Sequence, residues 1–190
     1  MTGLAHITFM IVAAVFSPIA GGCALLQQSL PGVALSDSKV IGVLDSLDES
    51  AIAAARLAQE KASAPEVQAF AGRVLNEHRL SAVGNGRLAA ALSLQPESPT
   101  LVSQLNEAHE QAMHQLRATS GPTFDRAYVA YEIKRHVMAF NFVEAAAEDE
   151  GTRLLKQELV RTGPDLLSHL SAARALERHL GPEPEAVAAR

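Results

Sequence analysis

The sequence predicts an all-α fold: a bundle of four long helices, with a short crossover helix between the second and third. Three observations carry that expectation. Of the 190 residues, 48% are hydrophobic but only 4% aromatic, so the core must be built from Ala, Leu and Val, which suits closely packed helices. Good helix formers fill every long segment, and β-branched runs are missing. Apolar residues also recur at the three- and four-residue spacing of a helix with one buried face. A chain of this length is enough for one domain with a proper core, and no internal repeat calls for a second.

Taken in order, the chain begins apart from the rest. Its first 23 residues hold no Lys, Arg, Asp or Glu, and residues 7–16 are almost wholly apolar. A run that short is the core of a signal peptide and not a membrane span. It ends at Ala20-Gly21-Gly22-Cys23, small residues leading into the only cysteine. This resembles a bacterial lipobox, in which the cysteine becomes the lipidated first residue of the mature chain; an ordinary secretory leader with a free cysteine is the alternative. The expected organisation is a leader over 1–22, a tether over 23–37, the bundle over 38–180 and a flexible tail over 181–190. Lipidation at Cys23 would make the membrane a partner, held far better by two acyl chains than by one. Ala24 and Leu25 follow the cysteine without an acid, which resembles an outer-membrane destination. The expected location is therefore the bacterial cell envelope, in the periplasm and anchored to the outer membrane.

The first helix is expected over 38–61, capped by Asp37 or Ser38, with an apolar stripe of Val40, Leu44, Leu47, Ala51, Ala54, Ala55 and Ala58. Glu49 falls on its opposite, solvated face, and Asp48 is assigned to an edge. Ser63 and Glu66 have capping-box spacing, and Pro65 opens a second helix over 65–92. Its inward stripe is Val67, Ala71, Val74, His78, Asn85, Leu88 and Leu92, with Gly84 and Gly86 expected to allow close backbone approach. Residues 95–99 (QPESP) break the chain before a short amphipathic helix over 100–119, carrying Leu101, Leu105, Ala108, Ala112 and Leu116. His109 and His114 on that helix are expected to be solvated. A third long helix follows over 123–148. The fourth spans 151–180 and is expected to kink or split at Gly163-Pro164. Beyond the proline, Leu166, His169, Leu170, Ala173, Leu176 and Leu180 form its stripe. Tight turns make each long pair antiparallel, and one long crossover between the pairs is the ferritin-like arrangement.

The stretch FDRAYVAYEIKRHVMAFNF, residues 124–142, holds both tyrosines and a run of ionisable groups. At 100° per residue, Asp125, Tyr128, Glu132, His136, Ala139 and Val143 share one arc. That arc carries an acid and a histidine into the core, where unpaired polar groups are costly. The turn near Ser63 sets His78 level with positions 48–51, and the next turn sets His136 level with positions 164–169. His78, His136 and His169 therefore converge at mid-height from three helices, with Glu77 and Glu132 beside them. Carboxylates and histidines on facing helices are how metal-binding bundles are built, which makes these five residues candidate ligands for iron, manganese or zinc. The other reading is a buried polar network that sets helix register, with Asp125 an early-turn acid favoured by the helix dipole.

Three spaced pieces, LAQEKASAPEVQAFAGRVLNEH (57–78), FDRAYVAYEIKRH (124–136) and GPDLLSHLSAARAL (163–176), resemble the bacterial exported family described as domain of unknown function 4142. The resemblance implies a ferritin-like bundle in a periplasmic or outer-membrane protein. It places the family's Asp-His on Glu77 and His78, its Phe-Asp-x-x-Tyr on Phe124, Asp125 and Tyr128, and its later histidines on His136 and His169. It also implies a glutamate on the first helix where this chain has Ala51. The E-x-x-H spacing of di-iron helices is absent, since Glu132 and His136 are four apart.

The formal charge of −5 and the lack of a Lys/Arg cluster exclude a nucleic-acid surface. No G-x-S-x-G, no phosphate-cradling glycine loop and no cysteine beyond the export site support a hydrolase or phosphotransferase. No catalytic residue is assigned. The expected role is a non-catalytic envelope protein, structural, stress-related or engaging an envelope protein or a second copy of itself, with a transition-metal-binding bundle as the alternative.

Overall fold

A computed structural model describes residues 35–149 and 151–182. The predicted leader, Cys23, nearly all of the tether and most of the tail lie outside the described residues. Five helices and no strand are found among the described residues: α1 (Asp37–Lys61), α2 (Pro65–Ala91), α3 (Thr100–Ala118), α4 (Gly121–Glu148) and α5 (Arg153–Leu180). The most extensive packing is within the pairs α4–α5 and α1–α2; α1 also meets α3 and α4, while α2 meets α5. None of these helices is long and apolar enough to cross a membrane.

Helix ends depart from expectation where tertiary partners offer better bonds. Neither Asp37 nor Ser38 caps α1: the N-cap position is Ser36, without a side-chain bond. The Asp37 carboxylate instead accepts from the Thr152 amide at the start of α5. The capping box at Ser63 and Glu66 does not form either, because α2 is capped from another helix, as described below. Helix α4 opens two residues earlier than expected, on Gly121, whose φ of 57° lies in the left-handed region open to glycine. Lys61, in the last turn of α1, donates to the carbonyls of Leu116 and Arg117 and so satisfies the end of α3.

Helix α5 runs unbroken through Pro164. The proline deprives the Val160 carbonyl of its usual donor, but Val160 is exposed, so water can take that place. The close backbone approach lies elsewhere than at Gly84 and Gly86, where an added Cβ would meet nothing nearer than 3.9 Å. It is at Gly42, where a Cβ would stand 1.9 Å from the Glu97 carbonyl oxygen. The Glu97 amide donates to the Ser38 carbonyl at 2.9 Å, so the 95–99 segment lies directly on α1. On α3 the buried side is Val102, Met113 and Leu116, with Ala108 exposed. This rotation brings the half-buried His109 Nδ1 to 2.7 Å from the Tyr131 hydroxyl, contrary to its expected solvation; His114 is exposed.

The core is layered. One apolar cluster joins Ala51, Ala54, Ala55 and Ala58 of α1 to Val67, Phe70 and Val74 of α2, Phe124 and Tyr128 of α4 and Ala173 of α5. A second joins Val40, Val43 and Leu47 to Leu88, Ala139, Val143, Leu159 and Leu166. Each long helix also places buried polar residues between the two: Asp48 on α1, His78 and Asn85 on α2, Glu132, Arg135 and His136 on α4, and His169 on α5, with Ser38, Ser46 and Asp125 buried outside this layer.

Candidate functional site

The polar layer is assembled by the helix period. Glu132, Arg135 and His136 sit at i, i+3 and i+4 on α4, the spacing that brings side chains to one face. The structure brings His78, His136 and His169 together, with ring centroids 5.0 to 5.7 Å apart. Glu132 lies among them, fully buried, while Glu77 is at the rim with its side chain 46% exposed. Two residues that sequence reasoning missed complete the layer. Asp48, expected at an edge, is buried, and its Oδ1 lies 2.6 Å from His78 Nδ1. Asn85 donates to the other oxygen of Asp48 at 3.0 Å. Asp48 could have been found from its period, since Leu44, Asp48 and Ala51 continue one stripe.

The second missed residue is Arg135, buried at the centre. One of its terminal nitrogens donates to Glu132 Oε2 at 3.0 Å and lies 3.2 Å from His136 Nε2 and 3.3 Å from His78 Nε2. Its other terminal nitrogen reaches the Leu47 carbonyl at 3.4 Å, and Nε has no partner among the described residues. The i, i+3 spacing of Glu132 and Arg135 was the available signal.

Electrostatics explain how so much charge is tolerated. Burial pushes the Glu132 carboxyl up, but Arg135 and His136 together more than offset this and hold it at about 2. Burial also works against the Arg135 charge, but Glu132, Tyr131 and Tyr128 together outweigh it, so the guanidinium stays protonated. Burial is the largest influence on His78 and His136 and lowers both, with Arg135 pushing the same way against Asp48 and Glu132. His169 is lowered by burial and by His78, against the pull of Glu77. Neutral imidazoles around one protonated guanidinium are the consistent assignment. His78 then donates through Nδ1 to Asp48, and His136 through Nδ1 to the Glu132 carbonyl at 2.8 Å. His169 donates through Nε2 to Glu77 at 2.5 Å.

Asp125 stands apart from this layer. It is buried, and its carboxylate accepts from the Ser63 and Ala64 amides, both at 2.9 Å, and from the Ser63 hydroxyl at 2.5 Å. It therefore caps α2 from α4 and is more than an early-turn acid of its own helix.

A protein-family model described as Domain of unknown function (DUF4142) matches residues 24–176. The chain belongs to this family. No curated protein and no solved structure matches it. The match takes in all five helices of this DUF4142 chain down to Leu176, and with them every residue of the polar layer.

A ferritin-type dinuclear centre needs carboxylates from several helices. In this DUF4142 chain Ala51 is buried in the apolar stripe, Asp48 is engaged by His78 and Asn85, and Glu77 turns to the rim. Glu132 alone faces the centre, and an arginine already neutralises it. The donor set does not fit a pair of irons.

Proposed function

We propose that this chain is an exported, lipid-anchored envelope protein whose role is non-catalytic, structural, stress-related or in interaction. Its architecture is read as a ferritin-like four-helix bundle. In it the pairs α1–α2 and α4–α5 are the two hairpins and α3 is the crossover. The close pairing of each hairpin and the contacts of α3 with α1 and α4 support this arrangement. The small residues at 20–22 before Cys23 and the apolar run before them support export and lipidation.

The observation that carries the non-catalytic reading is the position of Arg135. A buried polar layer with its own permanent cation sets register and holds four helices together without a cofactor. Chain purified without a histidine tag is expected to retain far less than one equivalent of iron, manganese or zinc after dialysis; near-stoichiometric metal would overturn the reading. For the anchor, Cys23→Ala is expected to move the protein from the membrane fraction to the soluble periplasm. Retention on membranes would count against lipidation.

A further inference from the structure

The three histidines share an orientation that register-setting alone does not require. Each ring spends one N–H on a partner away from the centre: Asp48, the Glu132 carbonyl and Glu77. Each keeps the lone pair of its other nitrogen, on His78 Nε2, His136 Nε2 and His169 Nδ1. Metal-ligating histidines are held in this way, with a carboxylate or carbonyl fixing the tautomer from behind. One ring nitrogen from each histidine lies within 4.8 Å of the others. Two acceptors in the layer accept no hydrogen bond among the described residues although they are buried, His169 Nδ1 and Glu132 Oε1, the second with the buried Tyr128 hydroxyl as its neighbouring donor.

We propose that the layer is a mononuclear transition-metal site closed by its own arginine, in which Arg135 and one divalent ion of the zinc or cobalt type compete for the same lone pairs. This rests on reading Arg135 as the resident cation. A single nitrogen of Arg135 draws together His78 Nε2, His136 Nε2 and Glu132 Oε2 at 3.3, 3.2 and 3.0 Å. Reaching zinc-bond lengths of about 2.0–2.2 Å from there requires an inward shift of about 1 Å. His169 Nδ1 supplies a fourth donor. Three imidazole nitrogens and one carboxylate suit zinc or cobalt better than magnesium or calcium. A metal ion and a guanidinium cannot share the centre, because like charges repel strongly where water is excluded. On its far side Arg135 is held by one 3.4 Å contact, and its Nε has no partner among the described residues. The Glu132 carboxylate is therefore what keeps it at the centre, and a metal that takes over that carboxylate releases it.

The test uses the untagged chain and its Arg135→Met and Arg135→Gln variants, stripped with chelator and titrated with Co2+ or Zn2+ alone. Each variant should take up one Co2+ per chain, with the visible absorption of tetrahedral Co2+, at least tenfold more tightly than the unaltered chain. Adding His136→Ala or His169→Ala to the variant should weaken that binding at least tenfold. If a stripped variant is unfolded, one equivalent of Zn2+ should restore its helical circular dichroism. Variants that bind no more tightly than the unaltered chain, ignore loss of a histidine, or stay unfolded in excess Zn2+ overturn the proposal and leave the arginine-centred network standing. An unaltered chain that already holds one equivalent after dialysis overturns both, since Arg135 would then close nothing.

Discussion

Seven positions apart on α4, two buried acids are treated in opposite ways. Asp125 has both oxygens filled, by two backbone amides and a serine hydroxyl at the positive end of α2. Glu132 spends one oxygen on a side-chain cation, and its other oxygen accepts no hydrogen bond among the described residues, with only the Tyr128 hydroxyl as a neighbouring donor. The difference lies in the partner. Backbone amides at a helix start are fixed by the fold and complete the carboxylate once and for all. A side-chain cation can rotate away, so the acid it neutralises can be partnered again. One region is a closed joint between helices; the other is a centre with unused bonding capacity.

The largest effect is expected at Glu132. Glu132→Gln would leave Arg135 an uncompensated buried charge, and removing one member of such a pair costs about 3–5 kcal/mol. The melting temperature should fall accordingly. Glu132→Gln with Arg135→Met should recover more than half of that loss, because no unpaired charge remains. A double variant as unstable as the sum of the two singles would show that the pair is not coupled.

A smaller effect is expected at the closed joint. Asp125→Ala removes three bonds to the start of α2 and should cost about 2 kcal/mol. Asp125→Asn keeps one acceptor and should cost roughly half as much. Amide exchange at Ser63 and Ala64 should speed up in both. Unchanged exchange there would mean that Asp125 does not hold the α2 terminus.

The gentlest lever is pH. His78, His136 and His169 have folded-state pKa values below their usual 6.5. Below that value the unfolded chain binds more protons, so stability should fall as pH drops from about 7.5 to about 5, by up to about 1.4 kcal/mol per pH unit for each histidine. Glu132, held at about 2 against a usual 4.5, contributes stability above 4.5 that is lost only as pH falls toward 2. Thermal melts between about pH 7.5 and about pH 5 therefore isolate the imidazoles, and Asp125→Ala should leave that slope unchanged. A flat profile would mean that the three rings are not held neutral.

Much of this was legible in the sequence. Proline, glycine and serine punctuation set the helix ends to within two residues. Every residue expected on the α1 stripe and on the α4 arc is buried. Counting residues back from the turns was enough to level the three histidines. Arg135 was not legible in the same way, because a charged side chain at the margin of an apolar arc is ordinarily solvated, and only its neighbours show that it is not. Asp48 continues the stripe through Leu44 and Ala51, but the partners that satisfy it, His78 and Asn85, lie 30 and 37 residues away, so nothing local marks it as a buried acid. The shifted face of α3, which half-buries His109, follows from packing against α1 and α4 and not from the short helix's own pattern.

By itself, then, the sequence determined which segments are helical and which faces turn inward, because both depend on interactions within a few residues. The tertiary structure decided who bonds to whom. Asp48 reaches His78 across 30 residues, Arg135 reaches it across 57, and Asp125 reaches Ser63 across 62. Those partnerships form in one register of helix packing, which the two apolar clusters and the polar layer between them select together. The same register carries the Arg135 guanidinium to the point where three histidines and a glutamate converge.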